Sequence, residues 1–282
     1  MPVTGRRGVT LIELLVAMVM AAILGSLVLT ATATVTGVLR GRVERVGAEV
    51  AARAIWGVIR FDWSAFGSDS VSGPDLGGLS ATTADYRAAR GLVAVCRLVP
   101  DTIVLATQRL GRWAGRRPVP GRDSLLLYAA GDSAASIDAW IPIPLLAGPV
   151  PTGCPSGEPG DRFVTQIDSQ TIARRRLGSQ ALGRVVEFMQ ARSYGAGTLW
   201  QFGLEGLSAG ASVQPVASNL AGPSGLSIVG WGCDGLAGPL ALLCGADVAI
   251  RVITKRDLGL GAGHAGVAVD SLGVAVRFEN RP

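Results

Sequence analysis

Between Glu13 and Arg40 the chain carries no charged residue, and the 26 residues Leu14–Leu39 read LLVAMVMAAILGSLVLTATATVTGVL. As a helix this run is roughly 39 Å long at about 1.5 Å per residue, more than the ~30 Å core of a bilayer. The direct reading is a membrane-spanning helix. Arg6 and Arg7 flank its N-terminal side, which favours a cytoplasmic N-terminus and export of the chain beyond the span. A secretory signal peptide fits poorly, because its apolar region spans about 7 to 15 residues and ends at a small-residue cleavage site. Glu13 sits inside the apolar stretch, and an ionisable group at membrane depth is costly enough to point to function. The alternative is that Glu13 lies shallow and reaches the interface.

The remainder is globular in composition. The chain has 282 residues, 49% hydrophobic and 17% charged, which excludes wholesale disorder and allows one large domain or a domain with an appendage. A formal charge of +5 is too mild to imply nucleic acid by itself. His264 is the sole histidine, so a mechanism needing two is excluded. Cys96, Cys154, Cys233 and Cys244 form no CxxC pair, which argues against zinc. They are either buried thiols or, in an exported protein, two disulfides.

Gly8-Val9-Thr10-Leu11-Ile12-Glu13-Leu14-Leu15-Val16-Ala17 resembles the N-terminus of type IV pilins and type II secretion pseudopilins. The resemblance implies a leader over 1–8, cut by a prepilin peptidase between Gly8 and Val9, and N-methylation of Val9. It implies that Glu13 is the fifth mature residue and pairs with a neighbour's amino terminus in the filament, removing two charges from lipid. The family usually has Phe or Met where this chain has Val9. Its tip-most pseudopilins often lack the glutamate, so a chain that keeps it is expected just below a capping subunit.

Past the span, Leu39, Val43, Val46, Val50, Ala54, Val58 and Phe61 recur at helical spacing, and this face is expected to pack on the following domain. One helix is expected from about Val9 to Phe66, divided into a span (9–39) and an amphipathic continuation (40–66). Gly25, Gly37, Gly41 and Gly47 could bend or melt it. From Gly67 the pattern turns to short apolar runs separated by turn residues. Candidate strands are Leu92–Val99, Thr102–Thr107, Ser124–Ala130, Phe163–Ile167, Val185–Ala191, Thr198–Leu204, Leu226–Val229, Val248–Thr254 and Val274–Phe278, with hairpin connections at Pro100-Asp101 and Gly195-Ala196-Gly197. No strand–helix alternation appears, so the expected fold is α+β: a long N-terminal helix on an antiparallel β-rich head over 67–282. Ala139–Gly157, with five prolines, and Gly206–Cys233 read as extended surface loops. Cys233 and Cys244 flank a short loop, and pairing them leaves Cys96 for Cys154, one of three possible connectivities.

Shorter stretches are similar to minor pilins of the PilW type and pseudopilins of the PulJ (GspJ) type. They are Arg60-Phe61-Asp62 with Phe66-Gly67, Asp123-Ser124-Leu125 up to Tyr128, Val186-Glu187 with Gln190 and Tyr194-Gly195, and Arg277 with Asn280-Arg281. The resemblance implies a minor filament subunit with no enzymatic activity and no cofactor. It would be held first in the bacterial inner membrane with its head in the periplasm, then near the tip of a pilus or pseudopilus. Its partners would be other minor pilins or pseudopilins, the major pilin, the prepilin peptidase and the inner-membrane assembly platform.

Two other functions have some footing in the residues. Arg109, Arg112, Trp113, Arg116 and Arg117, with Arg174-Arg175-Arg176, interleave cations with an aromatic as phosphate-backbone binders do; a DNA-binding competence pilin would use them. The simpler reading is a solvated loop in an arginine-biased protein, since only Lys255 is a lysine. Gly206-Leu207-Ser208-Ala209-Gly210, followed by Asp247 or Asp257 and then His264, has the order of a membrane-anchored hydrolase. The nucleophile elbow needs a helix directly after the serine, and Val213-Gln214-Pro215 makes a poor one. Gly261–Gly266 fits G-x-G-x-x-G without room for the helix and acid that follow in dinucleotide folds. Asp69, Asp75 and Asp85 lack calcium-loop spacing.

Overall fold

The structure, a computed structural model, describes residues 10–69, 72–107, 117–129, 139–167, 169–174, 181–197, 199–208, 212–253 and 269–278. Helix α1 (Leu11–Trp63) is 53 residues long, about 80 Å at the helical rise. None of its glycines interrupts it. Its stretch of highest hydropathy is wholly unburied by the rest of the chain. In that stretch Ser26, Thr30, Thr32, Thr34 and Thr36 donate to carbonyls three or four residues earlier, at 2.8–2.9 Å. Their hydroxyls are thereby satisfied within the helix, which lets a polar-dotted segment sit in lipid.

The second half of α1 meets the head, but with the face opposite to the expected one. Ala48, Ala52, Ile55, Ile59, Asp62 and Trp63 are buried. Val43, Val46, Val50 and Phe61 are 72%, 59%, 59% and 66% exposed. Both stripes have helical period, so periodicity alone could not choose between them. The alanine-rich side wins because small side chains let the helix backbone approach a sheet closely, with the bulk supplied from the sheet side.

The head is antiparallel throughout. Its strands are β1 (Ser68–Asp69), β2 (Gly73–Pro74), β3 (Leu76–Leu79), β4 (Thr83–Val99), β5 (Thr102–Ala106), β6 (Asp123–Ala129), β7 (Ala139–Gly153), β8 (Pro159–Thr165), β9 (Leu182–Ala196), β10 (Leu199–Gly206), β11 (Gln214–Leu220), β12 (Leu226–Gly232), β13 (Leu243–Ile253) and β14 (Val269–Arg277), with a short helix α2 (Ser169–Arg174) before β9. The tight connection at Pro100-Asp101 stands as expected, with Val99 pairing Thr102 across Asp101 at φ 62°; the one expected at Gly195-Ala196-Gly197 turns later, since Gly195 and Ala196 still pair Trp200 and Leu199 and the turn begins at Gly197, φ 64°.

Strand β9 organises the sheet. One edge pairs with β4 from Leu182 to Arg192, while the other pairs with β6 over Gly183–Glu187 and with β10 over Met189–Ala196. Its first half belongs to a closed six-strand barrel, β4-β5-β8-β7-β6-β9, joined at β9–β4. The barrel is filled by Val93, Val95, Ile103, Leu105, Leu125, Leu127, Ile141, Ile143, Leu145, Phe163 and Val185. Its second half belongs to the sheet that covers α1. A separate core there holds Ile55, Ile59, Trp63 and Phe66 against Tyr86, Met189, Phe202, Ile228, Val248, Ile250 and Phe278.

Two expected loops are strands. Ala139–Gly153 forms β7 despite its prolines. Ala139, Ile141, Ile143 and Leu145 are buried in alternation with exposed Pro142 and Pro144. Residues 139–144 pair with β6 alone, since pairing to β8 begins at Leu145. The prolines, which cannot donate, lie at the alternate positions facing that open edge, where no ladder bond is lost. Within Gly206–Cys233, β11 and β12 cover 214–220 and 226–232.

Candidate assembly sites

The N-terminal site is built from Thr10 and Glu13. Thr10 caps α1 in an extended conformation, and the two residues form a reciprocal capping box. Glu13 N–H donates to Thr10 Oγ1 at 3.3 Å, while Thr10 N–H and Oγ1–H both donate to Glu13 Oε2 at 3.0 Å. The T-x-x-E spacing of Thr10 and Glu13 is the local signal that the reading of a helix from about Val9 missed. It places the first helical residue at Leu11 rather than Val9, and it gives Glu13 partners inside its own chain. A carboxylate in the first turn is also favoured by the positive end of the helix dipole. Among the described residues Oε1 accepts no hydrogen bond, so this oxygen can still meet an outside cation. Gly8 and Val9 lie outside the described residues.

The second site lies where α1 enters the head. Asp62, Asp75, Asp123 and Glu187 are all buried there, together with Arg87. Tyr86 Oη–H donates to Asp62 Oδ2 at 2.8 Å, and Arg90 stands 3.9 Å from Asp62 Oδ1. Arg90 also donates to Glu187 Oε2 at 2.7 Å, and Arg122 pairs with Glu187 Oε1. The β4–β9 register slips between Ala89 and Gly91, a bulge at Arg90 that re-aims its guanidinium toward both acids. Asp75 Oδ2 accepts from Gly67 N–H at 2.8 Å and Arg184 at 2.7 Å, and Arg87 pairs with its other oxygen at 3.3 Å. Arg184 also donates to the Ala65 carbonyl at 3.3 Å, just past the end of α1. Burial pushes the Asp62 carboxyl up, against the lowering effect of the Tyr86 hydrogen bond and Arg90. Burial, and then the charge of Asp62, push the Tyr86 phenol well above its ordinary value.

The structure thus collects residues that the short family-like motifs scatter along the chain. Asp62 at the end of α1 and Glu187 on β9 share Arg90, Asp123 stands opposite Glu187 in the β6–β9 register, and Phe278 packs on Phe66 with ring centres 5.3 Å apart. The sequence marks each motif without marking the cluster, and no local pattern singles out Tyr86, Arg90, Asp75 or Arg184. Cys96 is bonded to Cys154 and Cys233 to Cys244, with Cα–Cα distances of 5.6 and 5.0 Å.

Most of the other candidate residues fall outside the described structure. Arg109, Arg112, Trp113 and Arg116 lie outside the described residues, as do Arg175, Arg176, Asp257, His264 and the Gly261–Gly266 segment; Arg117 is exposed. Ser208 follows β10, and the next described element is strand β11 rather than the helix that a nucleophile elbow requires.

Neither the curated proteins nor the solved structures contain a match to the chain. Residues 4–29 match the family model described as the prokaryotic N-terminal methylation motif. That motif, with its glutamate on a single long apolar helix ahead of an antiparallel head, indicates a type IV pilin-like or pseudopilin-like protein.

Proposed function

We propose that the chain is a minor pilin or minor pseudopilin, a structural subunit that helps to initiate or cap a type IV pilus or type II secretion pseudopilus. The observation that carries this reading is Glu13, the one charge in an otherwise apolar helical start, directly after a basic leader ending in Gly8. In this reading the prepilin peptidase cuts between Gly8 and Val9, and the new amino terminus of one subunit meets the Glu13 of another. Two charges that are costly in lipid then neutralise each other, and the pair sets register more than it adds stability. The paired cysteines suit a head exported to an oxidising compartment. A head built from both a barrel and a sheet supports a minor role, since so large a unit tiles poorly along a whole filament.

The test is N-terminal sequencing and intact mass of the protein from cells that hold a prepilin peptidase. The expected chain starts at an N-methylated Val9, and Gly8→Val blocks the cut. Cleavage deeper in the apolar run would overturn the assignment.

A further inference from the structure

Where α1 ends against the barrel a cavity of about 550 Å³ opens, walled by Phe61 and Asp62 of α1, Leu92 of β4, Trp140 of β7 and Arg184 of β9. Ala89 and Gly91 also line it and give the β4 wall almost no side-chain bulk, so the space stays open. Phe61 and Leu92 are 66% and 54% exposed. Trp140 is half-buried against Tyr128, with ring centres 5.4 Å apart. The walls are therefore apolar and aromatic, with two charged side chains set into them. The volume falls within the range of small-molecule sites, about 300–1,000 Å³.

The two charges are not equally matched. Arg184 is engaged, with one terminal nitrogen donating to Asp75 at 2.7 Å and the other to the Ala65 carbonyl at 3.3 Å. Among the buried acids of the junction, Glu187 holds two arginines, Arg90 at 2.7 Å and Arg122. Asp75 holds Arg184 at 2.7 Å and Arg87 at 3.3 Å. Asp62 has Arg90 at 3.9 Å, a guanidinium already on Glu187. Tyr86 Oη–H satisfies Asp62 Oδ2, while among the described residues Oδ1 accepts no hydrogen bond. A carboxylate only 6% exposed, with so distant a cation, is the under-compensated charge of the cluster. The upward push that burial gives its carboxyl agrees with this. We infer that the cavity is a binding site for an organic cation: a small primary amine whose ammonium donates to Asp62 Oδ1 and whose apolar body lies among Phe61, Leu92 and Trp140. The two aromatic rings add attraction for a cation that meets their faces. An anion fits poorly, because it would have to take Arg184 from Asp75. A lysine side chain of another protein would leave most of the volume unfilled, so the ligand is a free amine with an apolar part of ring size or larger. The inference does not depend on the filament-subunit reading.

The test is calorimetric titration of the full chain, purified in a neutral detergent, with phenethylammonium at neutral pH and detergent alone as the blank. Saturable binding with a Kd below ~1 mM is expected. The neutral phenethyl alcohol and the anionic hydrocinnamate should bind at least ~10-fold more weakly. Asp62→Asn keeps an acceptor for Tyr86 and should lower the affinity for phenethylammonium by ~10-fold or more, removing its preference over the alcohol. Trp140→Leu, outside the ion network, should lower it about 3-fold. Leu92→Lys brings an ammonium of the chain's own to the cavity. It should weaken binding at least ~10-fold more than Leu92→Met, a side chain of similar length without the charge, and this pair tests the site even where Asp62→Asn does not fold. Near-ultraviolet circular dichroism shows which variants keep the packed junction. No saturable binding, equal binding of the alcohol or of hydrocinnamate, or an affinity indifferent to Leu92→Lys or to a folded Asp62→Asn overturns the inference.

Discussion

Asp62 is held away from water by the side chains that fix the end of α1, and its chemistry comes from that burial. Its folded carboxyl is pushed above the ordinary value, chiefly by desolvation. The folded state therefore binds its proton more tightly than the unfolded state does. By linkage this contribution favours folding below the ordinary carboxylate range and is lost as pH rises through the elevated value. The expected outcome is that Asp62→Asn flattens the pH dependence of urea unfolding above about pH 4. An unchanged slope would show that Asp62 is not its source. Tyr86→Phe removes the 2.8 Å donor to Asp62 and should cost about 1–3 kcal/mol, the usual penalty for leaving a buried acceptor unsatisfied, measurable in the same titration. Glu13 differs in kind, because among the described residues its partners are Thr10 groups alone. Glu13→Ala should leave insertion and cleavage intact and reduce incorporation into filaments; unchanged filament counts would refute its pairing role.

Two elements answer to opposite rules. Helix α1 is periodic on both sides, so a sequence pattern identifies the helix but not the face that packs. Substitutions separate the two sides. Ile55→Ala, at a fully buried position, should destabilise the head by about 2–5 kcal/mol, whereas Val50→Ala should stay within about 0.5 kcal/mol. Equal effects would mean that α1 is rotated relative to the packing described. The barrel is limited instead by space. A Cβ on Gly183 would stand 2.8 Å from Leu125 Cδ1 and 2.9 Å from Val93 Cγ2, so that glycine lets β9 close on both β4 and β6. Gly183→Val should cost about 1–3 kcal/mol through overpacking, seen as a lower melting temperature of the purified chain. Strand β7 reads as a loop in the sequence because of its prolines, yet the alternation of Ala139, Ile141, Ile143 and Leu145 is there as well. Proline excludes a strand only where the missing N–H would be needed, and that depends on which edge is open.

At the scale of the molecule, the two disulfides close very different loops. Cys96 and Cys154 are 58 residues apart, Cys233 and Cys244 only 11. On the loop-entropy estimate the first contributes about 4 kcal/mol and the second about 3 kcal/mol. Reduction should therefore lower the unfolding midpoint more through Cys96→Ser/Cys154→Ser than through Cys233→Ser/Cys244→Ser; the reverse order in calorimetry would show that strain outweighs chain entropy. Features whose signal is local follow from the chain alone. An uncharged run longer than a bilayer core, a basic stretch ending in glycine, a lone carboxylate and a change of period at Gly67 can each be read within a few turns of chain. Tertiary structure decided the features that depend on what meets what: the buried side of α1, the closure of β4 on β9 and the gathering of Asp62, Tyr86, Arg90 and Glu187. In each case the energy comes from burying groups far apart in the chain, and neither periodicity nor composition records which distant surface a side chain will face.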